Sequence, residues 1–185
     1  MVDTPEIEES DEFLDGDDEI PDSEVEWIVH DKVVERKFED QMVSRAEWEA
    51  LPPTEPATKR DGPVKFVMTT FTGTNVCWND MSCIMGTQRL QRLSMDQGGK
   101  TDLPYNFLIG GSGLVFECRG WSHTPELPEK YKHLESNAFL IGYIGIYGGV
   151  DGITDEMLSS RRELIKLGME ESHIAKRILY YQCIK

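Results

Sequence analysis

Apolar positions in this chain fall into a few short runs separated by polar, glycine-rich and proline-rich stretches. The densest lies at residues 103–121, LPYNFLIGGSGLVFECRGW. Its first arm, Tyr105-Asn106-Phe107-Leu108-Ile109, turns through Gly110-Gly111-Ser112-Gly113 and returns as Leu114-Val115-Phe116. Two aromatic-rich runs joined by glycines predict a β-hairpin, because glycine enters φ > 0 without a Cβ clash. Both arms are apolar at nearly every residue, so the hairpin is expected to be buried on both faces, inside a sheet covered by helices.

Other runs extend this pattern. Residues 63–71, PVKFVMTTF, are apolar and β-branched and predict a strand ended by Gly73. Residues 138–145, AFLIGYIG, predict a second buried strand. Helical spacing over residues 82–95 predicts a helix with Ile84, Met85, Leu90, Leu93 and Met95 facing inward, ended by Asp96-Gln97-Gly98-Gly99. Thr154 caps a further helix with Asp155 and Glu156 in its first turn. Met157, Leu158, Leu164 and Ile165 supply its buried stripe, and Gly168 is expected at its C-terminal end. A short helix is expected to open at Ser44 and stop at Pro52-Pro53, and a last one to run over 172–181. Residues 53–63 read as a proline-rich connector and 122–137 as a polar loop. Trp27-Ile28-Val29 and Val33-Val34 hint at a short strand or amphipathic stretch. Strands mixed with helices on both sides predict an α/β or α+β domain, α/β being the first choice, with a central mixed β-sheet flanked by helices.

Composition refines this picture at the N-terminus. The 185-residue chain carries a formal charge of −15, and residues 1–26 hold thirteen acidic side chains with no Lys or Arg, leaving about −2 for the rest. Such a segment has too little apolar surface to offset its ordering entropy, so residues 1–39 are expected to form an acidic, disordered tail and 40–185 the folded domain. Like-charge runs are often solubilising leaders, and a docking arm is the sharper alternative. The lack of a basic patch argues against nucleic acid as a partner. The chain has no stretch of membrane-span length and no signal-peptide pattern. Cys77 and Cys83 stand in a C-x5-C pair, CWNDMSC, whereas Cys118 and Cys183 have no close companion. This spacing does not match a structural zinc site. A Cys77–Cys83 disulfide would suit an oxidising compartment, at odds with the missing signal peptide unless a longer form carries a signal or anchor.

The wording of the hairpin is specific. YNFLIGGSGLVFECRGW resembles the YNFLIGGDGxVYEGRGW signature of the peptidoglycan recognition protein family. Val43-Ser44-Arg45-Ala46-Glu47-Trp48 before Pro52-Pro53 resembles that family's opening segment. The Cys77–Cys83 spacing matches its small disulfide loop, Ile141-Gly142-Tyr143-Ile144-Gly145 resembles its SIGIAFIG strand, and residues 164–168 its following helix. The resemblance covers residue 40 onward and implies the fold of N-acetylmuramoyl-L-alanine amidases. It also points towards the insect long-type, immune-regulatory members.

The same resemblance implies that the family's catalysis is missing. Its active members hold zinc with two histidines and a cysteine, and the metal activates water against an amide. The first ligand is the leading histidine of an I-I-H-H-T-A segment, which here reads Val67-Met68-Thr69-Thr70-Phe71-Thr72-Gly73, with Thr70 or Thr69 in the histidine's place. Counting on from Trp121 to the second ligand reaches Leu127. The third is the cysteine of a T-x-C-P-G motif that follows G-H-R. G-H-R aligns with Gln182-Cys183-Ile184, so Cys183 falls too early and the last family segment is expected to be absent. The catalytic tyrosine of Q-x-Y-H-M aligns with Leu93. No catalytic residue, metal ligand or cofactor is therefore expected.

Three readings follow from the resemblance. The first is a non-catalytic recognition or regulatory module in the innate immune response to bacteria, contacting another recognition protein or a receptor. In the second, the chain binds peptidoglycan fragments weakly through a modified groove. There Tyr105 is retained, Gly99-Lys100 replaces a Gly-Trp pair, and Lys100 is free to pair a stem-peptide carboxylate. The third is an amidase with unconventional ligands drawn from His123, His133 and Cys183. They are ranked in that order. Asn106 is expected to be structural, and Cys118 stands where the family usually has glycine.

Overall fold

A computed structural model describes residues 36–146 and 152–182. The stretches around Trp27 and Val33, and Cys183, lie outside these residues. Six strands form one sheet: β1 (Met42–Val43), β2 (Val64–Phe71), β3 (Phe107–Ile109), β4 (Val115–Glu117), β5 (Ala138–Tyr143) and β6 (Ile174–Gln182). Their spatial order is β1-β4-β3-β5-β2-β6. Only the β3–β4 hairpin is antiparallel, with Leu108 opposite Phe116; the other four pairings are parallel. The expected α/β architecture with a central mixed sheet is the one observed.

Every residue of β5, the strand between β3 and β2, is buried, as its unbroken apolar run requires of a strand covered on both faces. Residues alternate between two cores. Met68, Leu108, Phe116 and Leu140 face one side with Trp48, Cys83 and Tyr105, beneath helix α1 (Asp80–Asp96). Val67, Phe107, Ile109, Phe139 and Ile141 face the other with Met157 and Leu164 of helix α2 (Asp155–Glu170). Each helix begins at a side-chain cap. Asn79 and Ser82 form a reciprocal capping box at α1, and Thr154 Oγ1 accepts from Met157 N at α2.

Four local expectations are corrected. Residues 172–181 form strand β6, not a helix. Ile178, Leu179, Tyr180 and Tyr181 are β-branched or bulky, and they complete the edge beside β2. Residues 45–49 make a single turn that ends with Glu49 at φ 56°, not a helix; Pro52-Pro53 prevents extension, and Arg45 and Trp48 leave the turn to dock elsewhere. Ile84 and Leu90 pack against the α1-side core as expected, but the fully buried face of α1 is Cys83, Thr87 and Gln91, and Met85 is 61% exposed. Gln91 meets a loop, exchanging hydrogen bonds with the Leu51 backbone, and Thr87 Oγ1 is satisfied within the helix by donating to Cys83 O. Gly168 lies inside α2, which continues to Glu170, rather than at its cap.

Candidate functional site

The hairpin is held by its own signature residues. Asn106 is completely buried, and its Nδ2 donates to Gly120 O and His123 O, both at 2.8 Å. Its Oδ1 accepts from Leu140 N at 2.9 Å, so one amide ties the start of β3 to β5 and to the loop after the hairpin. Trp121 stacks against Phe139 and His173 on the α2 face. Arg119 donates to Leu103 O at 2.8 Å and pairs Glu126 at 3.2 Å. Three residues of the signature thus serve the scaffold.

The opening segment docks on the same element. Arg45 donates to Cys118 O and Leu51 O and pairs the buried Asp102 at 2.9 Å; Trp48 Nε1 donates to Glu117 O. Asp102 also accepts from Gln91 Nε2 and from its neighbour's N–H, Leu103 N, which satisfies a carboxylate removed from water. Cys118 packs in this core, where burial, followed by the Asp102 charge, pushes its thiol well above the ordinary range. The Cys77–Cys83 disulfide is formed.

Tyr105 lies on the α1 face with its ring against Gly142. A Cβ there would stand 2.8 Å from Tyr105 Cδ1. Gly142 pairs in register with Thr70 of β2, so the tyrosine ring lies over the strand next to Thr70. Burial, assisted by Cys118, pushes the Tyr105 phenol up to about 12. Side-chain alternation sends Phe66, Met68 and Thr70 towards the α1 face, and Val67, Thr69 and Phe71 towards α2. Thr69 accepts from Tyr180 OH on that far side. Of the two threonines, Thr70 is therefore the one on the Tyr105 side.

Gly99, at φ 61°, and Lys100 form the exposed turn after α1. Lys100 Nζ pairs with Glu126, whose other oxygen holds Arg119. Arg119 N–H in turn donates to Tyr105 O. Lys100 and Tyr105 are thus linked through Glu126 and Arg119. Sequence reasoning passed over Glu126, since a lone carboxylate in a polar loop carries no signal. His123 is half-buried with Nδ1 3.1 Å from Arg119 O, His133 is exposed, and Leu127 is buried in the apolar cluster. Among the described residues no three His, Cys, Asp or Glu side chains gather as a metal site, and no helix is long and apolar enough to cross a membrane.

Comparison with known proteins places this scaffold. No protein-family model matches the chain. It is 30% identical over 133 residues to a peptidoglycan recognition protein of Trichoplusia ni, covering 72% of this chain and 70% of that one. It is 29% identical over 135 residues to peptidoglycan-recognition protein LC of Drosophila melanogaster, covering 73% of this chain but 26% of that longer protein. The ectodomain of the Drosophila transmembrane receptor PGRP-LCa superposes with a TM-score of 0.70 at 28% identity, covering 75% of this chain and 82% of that one. Bumblebee PGRP-SA does so with a TM-score of 0.70 at 27% identity, covering 76% and 81%. By fold and by sequence, this chain belongs to the peptidoglycan recognition protein family.

Proposed function

We propose that the protein is a non-catalytic member of its family, acting as a recognition or regulatory module in the innate immune response to bacteria. The observation that carries this reading is Thr70. It is a buried threonine on the Tyr105 side of β2 and one of the two positions, with Thr69, where the resemblance puts a ligand histidine. The donor set does not fit zinc: a neutral hydroxyl at Thr70 and an apolar side chain at Leu127 cannot replace two imidazoles. Leu93, half-buried on α1, has no proton to give at the position of the family's tyrosine.

Binding of peptidoglycan fragments is the second reading. Tyr105, which matches a tyrosine of the family's muropeptide groove, favours it. Lys100 weakens it, because a ligand carboxylate would have to compete with Glu126 for the ammonium. Each donor lost from a site built for a polar ligand costs about 1–3 kcal/mol.

The test is metal content and peptide release measured on the full chain expressed with zinc, alongside titration calorimetry with diaminopimelate- and lysine-type muropeptides. Substoichiometric zinc, no released peptide and no micromolar binding are expected. Stoichiometric zinc with turnover would overturn the proposal, and micromolar affinity without turnover would replace it with the second reading.

A further inference from the structure

A polar cluster lies on the α2 side of the sheet, across it from Tyr105. Its members come from four elements: Thr69 of β2, Tyr143 closing β5, Tyr180 of β6 and Arg161 of α2. The three strands run parallel, and the cluster gathers near their carboxyl ends, the end at which open α/β sheets bind ligands. Arg161 Nη1 donates to Tyr180 OH at 2.8 Å, and Tyr180 OH donates to Thr69 Oγ1 at 3.0 Å. The guanidinium also lies over the Tyr180 ring, 5.1 Å from its centroid.

Donors outnumber acceptors in this cluster. Tyr143 is 1% exposed, and its hydroxyl bonds no group among the described residues. Burial pushes its phenol far above the ordinary range, and the neighbours acting on it are Tyr180 and Arg161. The hydroxyl is therefore close enough to feel both groups without a hydrogen bond to either. Tyr180 has already committed its proton to Thr69. Arg161 carries further N–H groups beyond the one used on Tyr180, and it pairs no carboxylate among the described residues. A buried hydroxyl without a partner is costly, and so is a half-buried cation without a counter-charge. One group would satisfy both: an acceptor that carries negative charge.

We propose that Arg161, Tyr143 and Tyr180 form an oxyanion site that takes the phosphate or carboxylate group of a small ligand. Arg161 and Tyr180 are partly exposed and form its mouth, and Tyr143 forms its floor. The guanidinium matches the paired oxygens of either anion, and the phenol adds a neutral donor. The site lies on the opposite face from Tyr105 and Thr70, so it stands whether or not that groove binds anything.

The experiment is titration of the full chain, isotope-labelled at its arginine nitrogens, with inorganic phosphate and separately with acetate at fixed ionic strength. A saturable shift of the Arg161 Nε–H resonance is expected with at least one ion. Phosphate alone would assign a phosphate ligand, and acetate alone a carboxylate. Tyr143→Phe should weaken that binding about tenfold, the loss of one hydrogen bond to a charged group. Without anion the same variant should melt about 2–4 °C above the wild type, because it removes an unpartnered buried hydroxyl. Arg162→Gln, at the exposed neighbouring position, should leave the affinity unchanged. No saturable shift with either ion would overturn the proposal, as would a shift shared equally by Arg162. Equal affinity in Tyr143→Phe, or a lower melting temperature for it, would overturn it as well.

Discussion

Gly110 lies directly beneath Cys83: a Cβ built on the glycine would stand 2.6 Å from Cys83 Sγ and 3.0 Å from Cys77 Sγ. At the next residue, Gly111, it would stand 2.2 Å from the Cys77 backbone oxygen. The glycines of the hairpin tip therefore differ in purpose. Gly113 turns the chain at φ 84°, whereas Gly110 and Gly111 let the disulfide loop rest on the tip. The tip's other side holds α2, since Gly111 O accepts from Thr154 Oγ1 and Gly113 O from Ser160 Oγ. One turn thus joins both helix layers.

Gly111→Ala is expected to destabilise the domain by about 1–3 kcal/mol, because the obstructing atom is backbone and cannot rotate away. Urea unfolding followed by tryptophan fluorescence measures this. An unchanged midpoint would mean that the disulfide loop is not seated on the tip as described.

Cys77→Ser combined with Cys83→Ser opens a short loop, for which chain entropy gives a loss of about 2 kcal/mol. Cys83 is also fully buried in the core under α1, so the serine hydroxyl adds a desolvation penalty. Thermal melting should show the wild type losing stability on reduction. The double variant should start lower and ignore reductant.

Asn106→Ala removes two donated hydrogen bonds and one accepted one from a site without water access. The stranded Leu140 N–H and two carbonyls predict a loss of about 3 kcal/mol or more. Asn106→Asp should be no better, since it turns an acceptor towards Gly120 O and His123 O. Denaturant midpoints decide both variants, and a tolerated alanine would contradict the assigned clamp.

How far these features could be read beforehand depended on whether they are local. The hairpin, β5 and α2 declare themselves through runs and caps, and the resemblance carried the disulfide. β6 did not. Its residues 174–182 mix Lys176 and Arg177 with Ile178 and Tyr180, a pattern that only pairing with β2 resolves. The buried face of α1 was legible in Ile84 and Leu90, which pack against the core, and its polar part was missed for a related reason. Apolar periodicity seeks an oily stripe, whereas buried Gln91 is met by the Leu51 carbonyl and Asp102, and buried Thr87 bonds back to Cys83 O within the helix. At the candidate site, Tyr105 was legible from its motif. The tie from Lys100 to Glu126 joins residues brought together only by the fold.

Tyr105 should make stability fall at alkaline pH. Burial raises its phenol to about 12 from the ordinary 10, so the folded state holds its proton after the unfolded state has lost it. The contribution is complete below pH 10 and fades as pH rises towards 12, a loss of about 2–3 kcal/mol. Tyr105→Phe should match the wild type at pH 8 and surpass it by pH 11 in unfolding free energy. Parallel pH profiles for the two proteins would contradict the burial of this phenol.

Gly168→Ala sets two effects against each other. In an exposed helix interior alanine is favoured over glycine by about 1 kcal/mol. Here the new Cβ would stand 2.7 Å from Ile174 Cδ1 and 2.8 Å from Trp121 Cζ3. The isoleucine is fully enclosed, and the indole is held between Phe139 and His173, so neither side chain yields cheaply. Overpacking of this kind costs about 1–3 kcal/mol, enough to cancel the helix gain and reverse its sign. The variant should therefore unfold at lower denaturant than the wild type. Trp121→Leu, which removes the ring, should turn the same Gly168→Ala change from destabilising to neutral or favourable. A double-mutant cycle over these two positions measures the coupling. A coupling near zero would mean that Gly168 is not there to admit Trp121.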